Sequence, residues 1–330
     1  MTEHCYMVAG LRFVLKLPSF FDVDSSLPSF RDFRCDADSR PDFRMVWDGD
    51  LTLPQDAVQL AEESNDMGTT RIGRAGNSSY LDFRFDGCEA LLCLSDDYCD
   101  GRFRIDLAHR SAGILISSAL RCFFAQNILL HKGLSLHASC VVRDGEGYLF
   151  MGRSGTGKST HSRLWIQTFP GTELLNDDNP AIRIADGRPL VFGTPWSGKT
   201  PCWRNLSAPV KALVRLSQAP VNSFRKCTDI EAFTAIYPGC SVLRFDERLH
   251  DRLCDVLSEL TGLVQCGRLD CLPDSDAALC CSRGLEWSGN FRFFYLKISK
   301  RYLQLVILFL LLLRCVRRNL FPSSYRKEKN

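Results

Sequence analysis

The chain has 330 residues, with 45% hydrophobic and 24% charged side chains and a formal net charge of +3. This length implies two domains, or one domain with a large extension. The composition excludes disordered, collagen-like and polytopic membrane classes. The basic excess gathers near the C-terminus, so nothing in the charge calls for a nucleic-acid partner. The 16 cysteines are irregularly spaced and never form Cys-x-x-Cys, which argues against zinc and for reduced thiols in a cytoplasmic protein. The start, Met1-Thr-Glu-His-Cys5, lacks the basic and apolar regions of a secretory signal.

From about residue 6 to 110 the apolar residues recur with period two, which predicts several antiparallel strands in a β-rich N-terminal domain, 1–112. The clearest hairpin joins 80–85 to 88–94 through Asp86-Gly87, a pair that tolerates the positive φ angles of a tight turn. Residues 102–107 read as the next strand, and 27–42, with its prolines and alternating charges, reads as loop. An apolar helix is predicted over 114–130, ending before Gly133 and joining the two domains.

From Leu136 short apolar strands alternate with helices and glycine turns, the pattern of a mixed α/β domain spanning 113–285. Residues 139–142 and 148–151 read as a strand pair, 158–167 as a helix, and 173–176 as a strand ending in Asp177-Asp178. Further strands are expected at 181–185, 190–192 and 210–216. Leu249, Leu253, Val256, Leu257 and Leu260 mark one face of a helix. In the tail, 286–330, an apolar run at 303–313 lies between basic residues. It is too short for an ordinary span of about 20 residues, but 302–316 is a candidate for membrane contact, as a peripheral or tail-anchored segment.

Gly152-Arg153-Ser154-Gly155-Thr156-Gly157-Lys158-Ser159 fits the phosphate-loop pattern G-x-x-x-x-G-K-[ST], with an apolar strand before it and a helix-compatible stretch after it. Its glycines let backbone N–H groups turn toward phosphate oxygens, and the helix start adds positive partial charge. Thr160 continues the loop into the helix. Lys158 would reach the β- and γ-phosphates of ATP and Ser159 would bind Mg²⁺. Asp177-Asp178 would then supply carboxylates for metal and acceptor, one as base and one as ligand. We expect Asp177 to be the base and Asp178 to hold Mg²⁺ with Ser159; the roles could be exchanged.

The loop Ser154-Gly-Thr-Gly-Lys-Ser-Thr160, the strand after it and Asp177-Asp178 resemble the HPr kinase/phosphorylase and phosphoenolpyruvate carboxykinase superfamily. His137, in Leu136-His137-Ala138-Ser139, stands where those kinases carry a histidine. The resemblance covers about residues 134–280 and implies a P-loop kinase domain of that type, with ATP, Mg²⁺ and a serine-bearing peptide, protein or small-molecule acceptor. It also implies that His137 sits near Asp177, and suggests a homo-oligomer by analogy. The glycine-rich segment by which these kinases bind their partner protein is not found. In its place a Gly/Pro-rich loop, 192–204, carries Lys199 and Arg204 as candidates for closing over phosphate or acceptor. A carboxykinase-like enzyme is the less favoured alternative, since it would need further metal-binding lysine and histidine residues and an arginine-lined acid pocket that the sequence does not let us assign. A GTPase would need Asn-Lys-x-Asp, which is absent. The rival from another class is an ATP-binding scaffold without transfer activity.

Overall fold

The computed structural model describes residues 1–37, 40–65, 68–198 and 200–286. The described residues fall within one compact unit. The apolar and basic tail, including 302–316, and Lys199 lie outside them.

Period-two patterning builds the first sheet. Its strands are β1 (Thr2–Val8), β2 (Leu11–Leu17), β3 (Phe43–Trp47), β4 (Val58–Asn65), β5 (Gly68–Ala75), β6 (Ser78–Phe85), β7 (Cys88–Leu94) and β8 (Asp100–Ile105), in the order β1-β2-β3-β8-β7-β6-β5-β4. The β6–β7 hairpin forms as its sequence requires, with Asp86 at φ 53° and Gly87 at φ 76°. The sheet is mixed, because β3 pairs parallel with both β2 and β8. A short helix α1 (Val23–Ser26) follows β2. Residues 27–42 are less irregular than expected: Pro28–Phe33 winds into a 3-10 turn that buries Phe30 and Phe33 completely. Apolar burial, which the charges around these rings mask in the sequence, holds this turn in place.

Helix α2 (Ala112–Leu130) packs its aromatic residues on this sheet, with the Phe123 and Phe43 rings 4.4 Å apart. It is long and apolar enough to cross a bilayer, but most of it is buried inside the protein. On its other side Trp196 donates to the Ser117 carbonyl at 3.0 Å.

The second sheet contains β9 (Gly133–Ser135), β10 (Ala138–Arg143), β11 (Glu146–Met151), β12 (Glu173–Asp178), β13 (Ala181–Ala185), β14 (Arg188–Phe192), β15 (Ser207–Gln218), β16 (Ser223–Lys226) and β17 (Gln265–Cys271). Helices α3 (Lys158–Thr168), α4 (Asp229–Ile236), α5 (Glu247–Leu263) and α6 (Ser275–Glu286) accompany it. Strand β15 joins two parts of this sheet. Its first residues pair antiparallel with β14, and the rest pairs parallel with β11 on one side and β17 on the other. The five residues expected on one face of α5 are its buried ones. Trp165 of α3, fully buried, fills the layer between the sheet and α3 and α6, against Phe150, Val214 and Leu269. The fold is therefore mixed α/β, with two large mixed sheets.

Candidate functional site

Three strand ends meet at one edge of the second sheet. In register, Ala138 lies opposite both Met151 and Asp178. The chain therefore brings together the residue before β10, the loop after β11 and the end of β12. His137, residues 152–157 and Asp178 occupy those three positions.

Between β11 and α3 the backbone curls through Gly155 at φ 78° and Gly157 at φ 103°. Side chains other than glycine are strained in this left-handed region. Thr156 closes the curl by donating from N and Oγ1 to the Arg153 carbonyl, at 3.1 and 2.7 Å. Gly157 caps α3 without any side-chain hydrogen bond. The first-turn amides, which have no intrahelical acceptor, are therefore left for other partners.

Lys158 points back over this loop. Its Nζ lies 2.9 Å from His137 Nε2 and 3.4 Å from the carbonyls of Gly152 and Arg153. His137 Nδ1 in turn lies 3.0 Å from Asp178 Oδ1. An ammonium group only donates, so Nε2 is the acceptor and Nδ1–H donates to the carboxylate. Lys158, His137 and Asp178 thus form one hydrogen-bonded chain. Burial pushes the Lys158 ammonium below its ordinary value, while the charges of Asp178 and Asp177 work the other way. Burial also works against ionising Asp178. The hydrogen bond from His137 and the charges of Arg121 and Lys158 outweigh it and hold the carboxyl below the ordinary aspartate value.

Asp177 faces elsewhere. It is 3% exposed, and its Oδ2 is buried with no hydrogen-bond partner among the described residues. The ring of His137 therefore bonds to Asp178 and not to Asp177, because neighbours on a strand point to opposite faces right up to the end of β12. The Gly/Pro-rich loop crosses this end: Gly198 N–H donates to the Asp177 carbonyl, and Ser197 bridges to Asp178. Asn176 holds the loop there through its amide, which donates to the carbonyls of Thr194 and Trp196 at 3.2 and 3.1 Å.

Of the remaining candidates, Ser159 and Thr160 lie in the first turn of α3, with Ser159 exposed. Arg153 and Ser154 are exposed in the loop. Arg204 pairs with Glu173 at the opposite end of β12, a strand length of roughly 17 Å from Asp178. It is not part of this cluster. Sequence reasoning missed Arg121, which acts electrostatically on Asp178 from within an apolar helix, and Asn179, whose amide donates to Asp178 Oδ2. Asn179 could have been found beside the acid pair; nothing in the sequence singles out Arg121.

No family model matches the chain, and no curated protein matches it. Among solved structures, the HPr(Ser) kinase/phosphatase from Coxiella burnetii is 15% identical over 46% of this chain and 93% of that chain, with a TM-score of 0.27. At that score the likeness decides neither fold nor function.

Proposed function

We propose that the chain is an ATP-dependent phosphotransferase of the HPr kinase type, passing the γ-phosphate to a serine-type hydroxyl. The observation that carries this reading is the hydrogen-bonded chain from Lys158 through His137 to Asp178, at the mouth of a glycine loop that opens an uncapped helix. A loop that only turned the chain would have no use for a lysine folded back over its own carbonyls.

The loop amides and Lys158 bind and orient the phosphates, so that catalysis comes from in-line positioning and charge neutralisation. The residues fit a divalent cation: Asp178 is kept ionised beside the loop, and Ser159 is exposed in the first turn of α3. Ser159 and Asp178 would hold Mg²⁺, which when bound neutralises charge on the transferring phosphate. In this reading Asp177, whose Oδ2 is buried without a hydrogen-bond partner among the described residues, is the base, and it takes the acceptor's proton once it turns from its buried side toward the loop. His137 positions Asp178 and gives Lys158 a resting partner that phosphate would replace.

The test is transfer of labelled γ-phosphate to a pool of serine-containing peptides. Asp177→Asn should keep ATP affinity and lose transfer by roughly 10² to 10⁴, the share of general base catalysis. Asp178→Asn should lose metal affinity as well, and added Mg²⁺ should partly restore its turnover. Equal losses in both variants, both restored by metal, would mean that neither carboxylate is the base. ATP binding without transfer to any acceptor would favour a scaffold.

A further inference from the structure

A row of arginines crosses the second sheet on the other side of the glycine loop from Asp178. Arg215 of β15 stands directly opposite Arg268 of β17, and Arg268 stands opposite Arg225 of β16. Arg215 is also level with Met151, the last residue before the loop, which then carries Arg153. Like charges directly opposite one another on neighbouring strands are destabilising, so such a row calls for counter-charge.

The protein supplies little of it. Arg225 pairs with Glu231 at 2.6 Å, and Asp270 acts on Arg225 from farther along β17. Arg215 uses one donor on the Ala235 carbonyl, at the end of α4, at 2.9 Å, out of the five a guanidinium carries. The Nε of Arg268 is buried without any partner among the described residues. Burial and the nearby charges of Arg268 and Arg153 all work against the charge on Arg215. Three guanidinium groups thus stand close together at the loop, with donors to spare and no carboxylate bonded to Arg215 or Arg268 among the described residues.

Their place in the strand order says which anion fits. At this edge the strands run β12-β10-β11-β15-β17. In the reading proposed above, Asp178 at the end of β12 marks the transferring phosphate, and the loop after β11 holds the middle of the phosphate chain. The part of the nucleotide that remains extends beyond the loop, over β15 and β17. Guanidinium groups match phosphate oxygens with paired donors and also stack on aromatic rings.

We propose that Arg153, Arg215 and Arg268 form the site for the nucleoside end of the bound nucleotide, gripping its α-phosphate on the side of the loop away from Asp178. This inference rests on the phosphate-loop reading and is separable from it by ligand. Mg-ADP carries an α-phosphate and a nucleoside; inorganic pyrophosphate, seated between the loop and Asp178, probes the loop with neither.

The experiment measures the Kd of both ligands by calorimetry for the wild type, Arg215→Gln and Arg268→Gln. Each variant should bind ADP about tenfold or more weakly, the usual effect of removing a charge-assisted hydrogen bond, and Arg268→Lys should recover part of the loss. Pyrophosphate, with no third phosphate to reach the arginines, should bind all of them within about twofold of the wild type. Unchanged ADP affinity would overturn the proposal, as would an equal loss for pyrophosphate. If the buried arginine variants do not fold, Arg153→Gln, in the exposed loop, decides: undiminished ADP binding there overturns the proposal. A wild type that binds neither ligand would instead retire the phosphate-loop reading, and this site with it.

Discussion

Acidification should cost the fold about 3 kcal/mol through a single side chain, His161. It lies in the first turn of α3, 2% exposed, with the Phe150 ring edge-on at 4.6 Å and Trp165 Nε1 donating to its Nε2 at 3.1 Å. Because Nε2 accepts, the neutral ring carries its proton on Nδ1, which has no partner among the described residues, and a second proton would have to enter at Nε2 against the Trp165 N–H. Burial accordingly lowers its pKa from 6.5 to about 4. As pH falls through 6.5 the unfolded chain takes up this proton while the folded protein does not, so stability declines until the folded group titrates near 4. At about 1.4 kcal/mol per pH unit, that interval gives about 3 kcal/mol. Urea denaturation of the wild type and His161→Gln at several pH values isolates the effect, since Gln can still accept from Trp165 but does not titrate. The wild type should lose about 3 kcal/mol relative to the variant between about pH 7 and pH 4. Parallel pH profiles would refute the reasoning.

Gly157→Ala should cost about 1–2 kcal/mol of stability, because the added Cβ meets only Thr160 at 4.0 Å and the penalty is the backbone φ of 103°. A thermal melt measures the cost, and weakened ATP binding should accompany it as the loop relaxes. Tyr98→Phe should cost about 1.5–3 kcal/mol, since the Tyr98 hydroxyl donates at 2.9 Å to buried Asp246 and ties the first sheet to the start of α5. Urea denaturation with an unchanged m-value would show it.

Locally determined features of this fold were legible in the sequence. The turns at Asp86-Gly87 and Asp144-Gly145 carry the positive φ angles their residues favour. The loop of residues 152–157 has Gly155 and Gly157 where the backbone is left-handed, and α5 buries the stripe its spacing marks. What depends on register was not legible. The parallel pairing of β3 with β2 and β8 is set by contacts between distant strands. His137 and Lys158 are 21 residues apart, and only the β10–β11 and β10–β12 registers bring them to Asp178. The same alternation that makes β12 readable as a strand turns Asp177 and Asp178 to opposite sides, so adjacency in sequence did not tell which acid the histidine would meet. Arg204 looked close to the site along the chain, but its loop returns to the far end of β12 before β15 begins. Arg215 and Arg268 belong to strands separated by two helices, and they become neighbours only in the sheet.

The central claim is that the glycine loop binds ATP through Lys158, and thermal denaturation with and without ATP and Mg²⁺ tests it most directly. At a nucleotide concentration about a hundredfold above Kd the wild type should gain about 2.7 kcal/mol of stability. Lys158→Ala, which removes the donor lying 2.9 Å from His137, should gain far less at the same concentration. An equal gain in the two proteins, or none in the wild type, would contradict the claim.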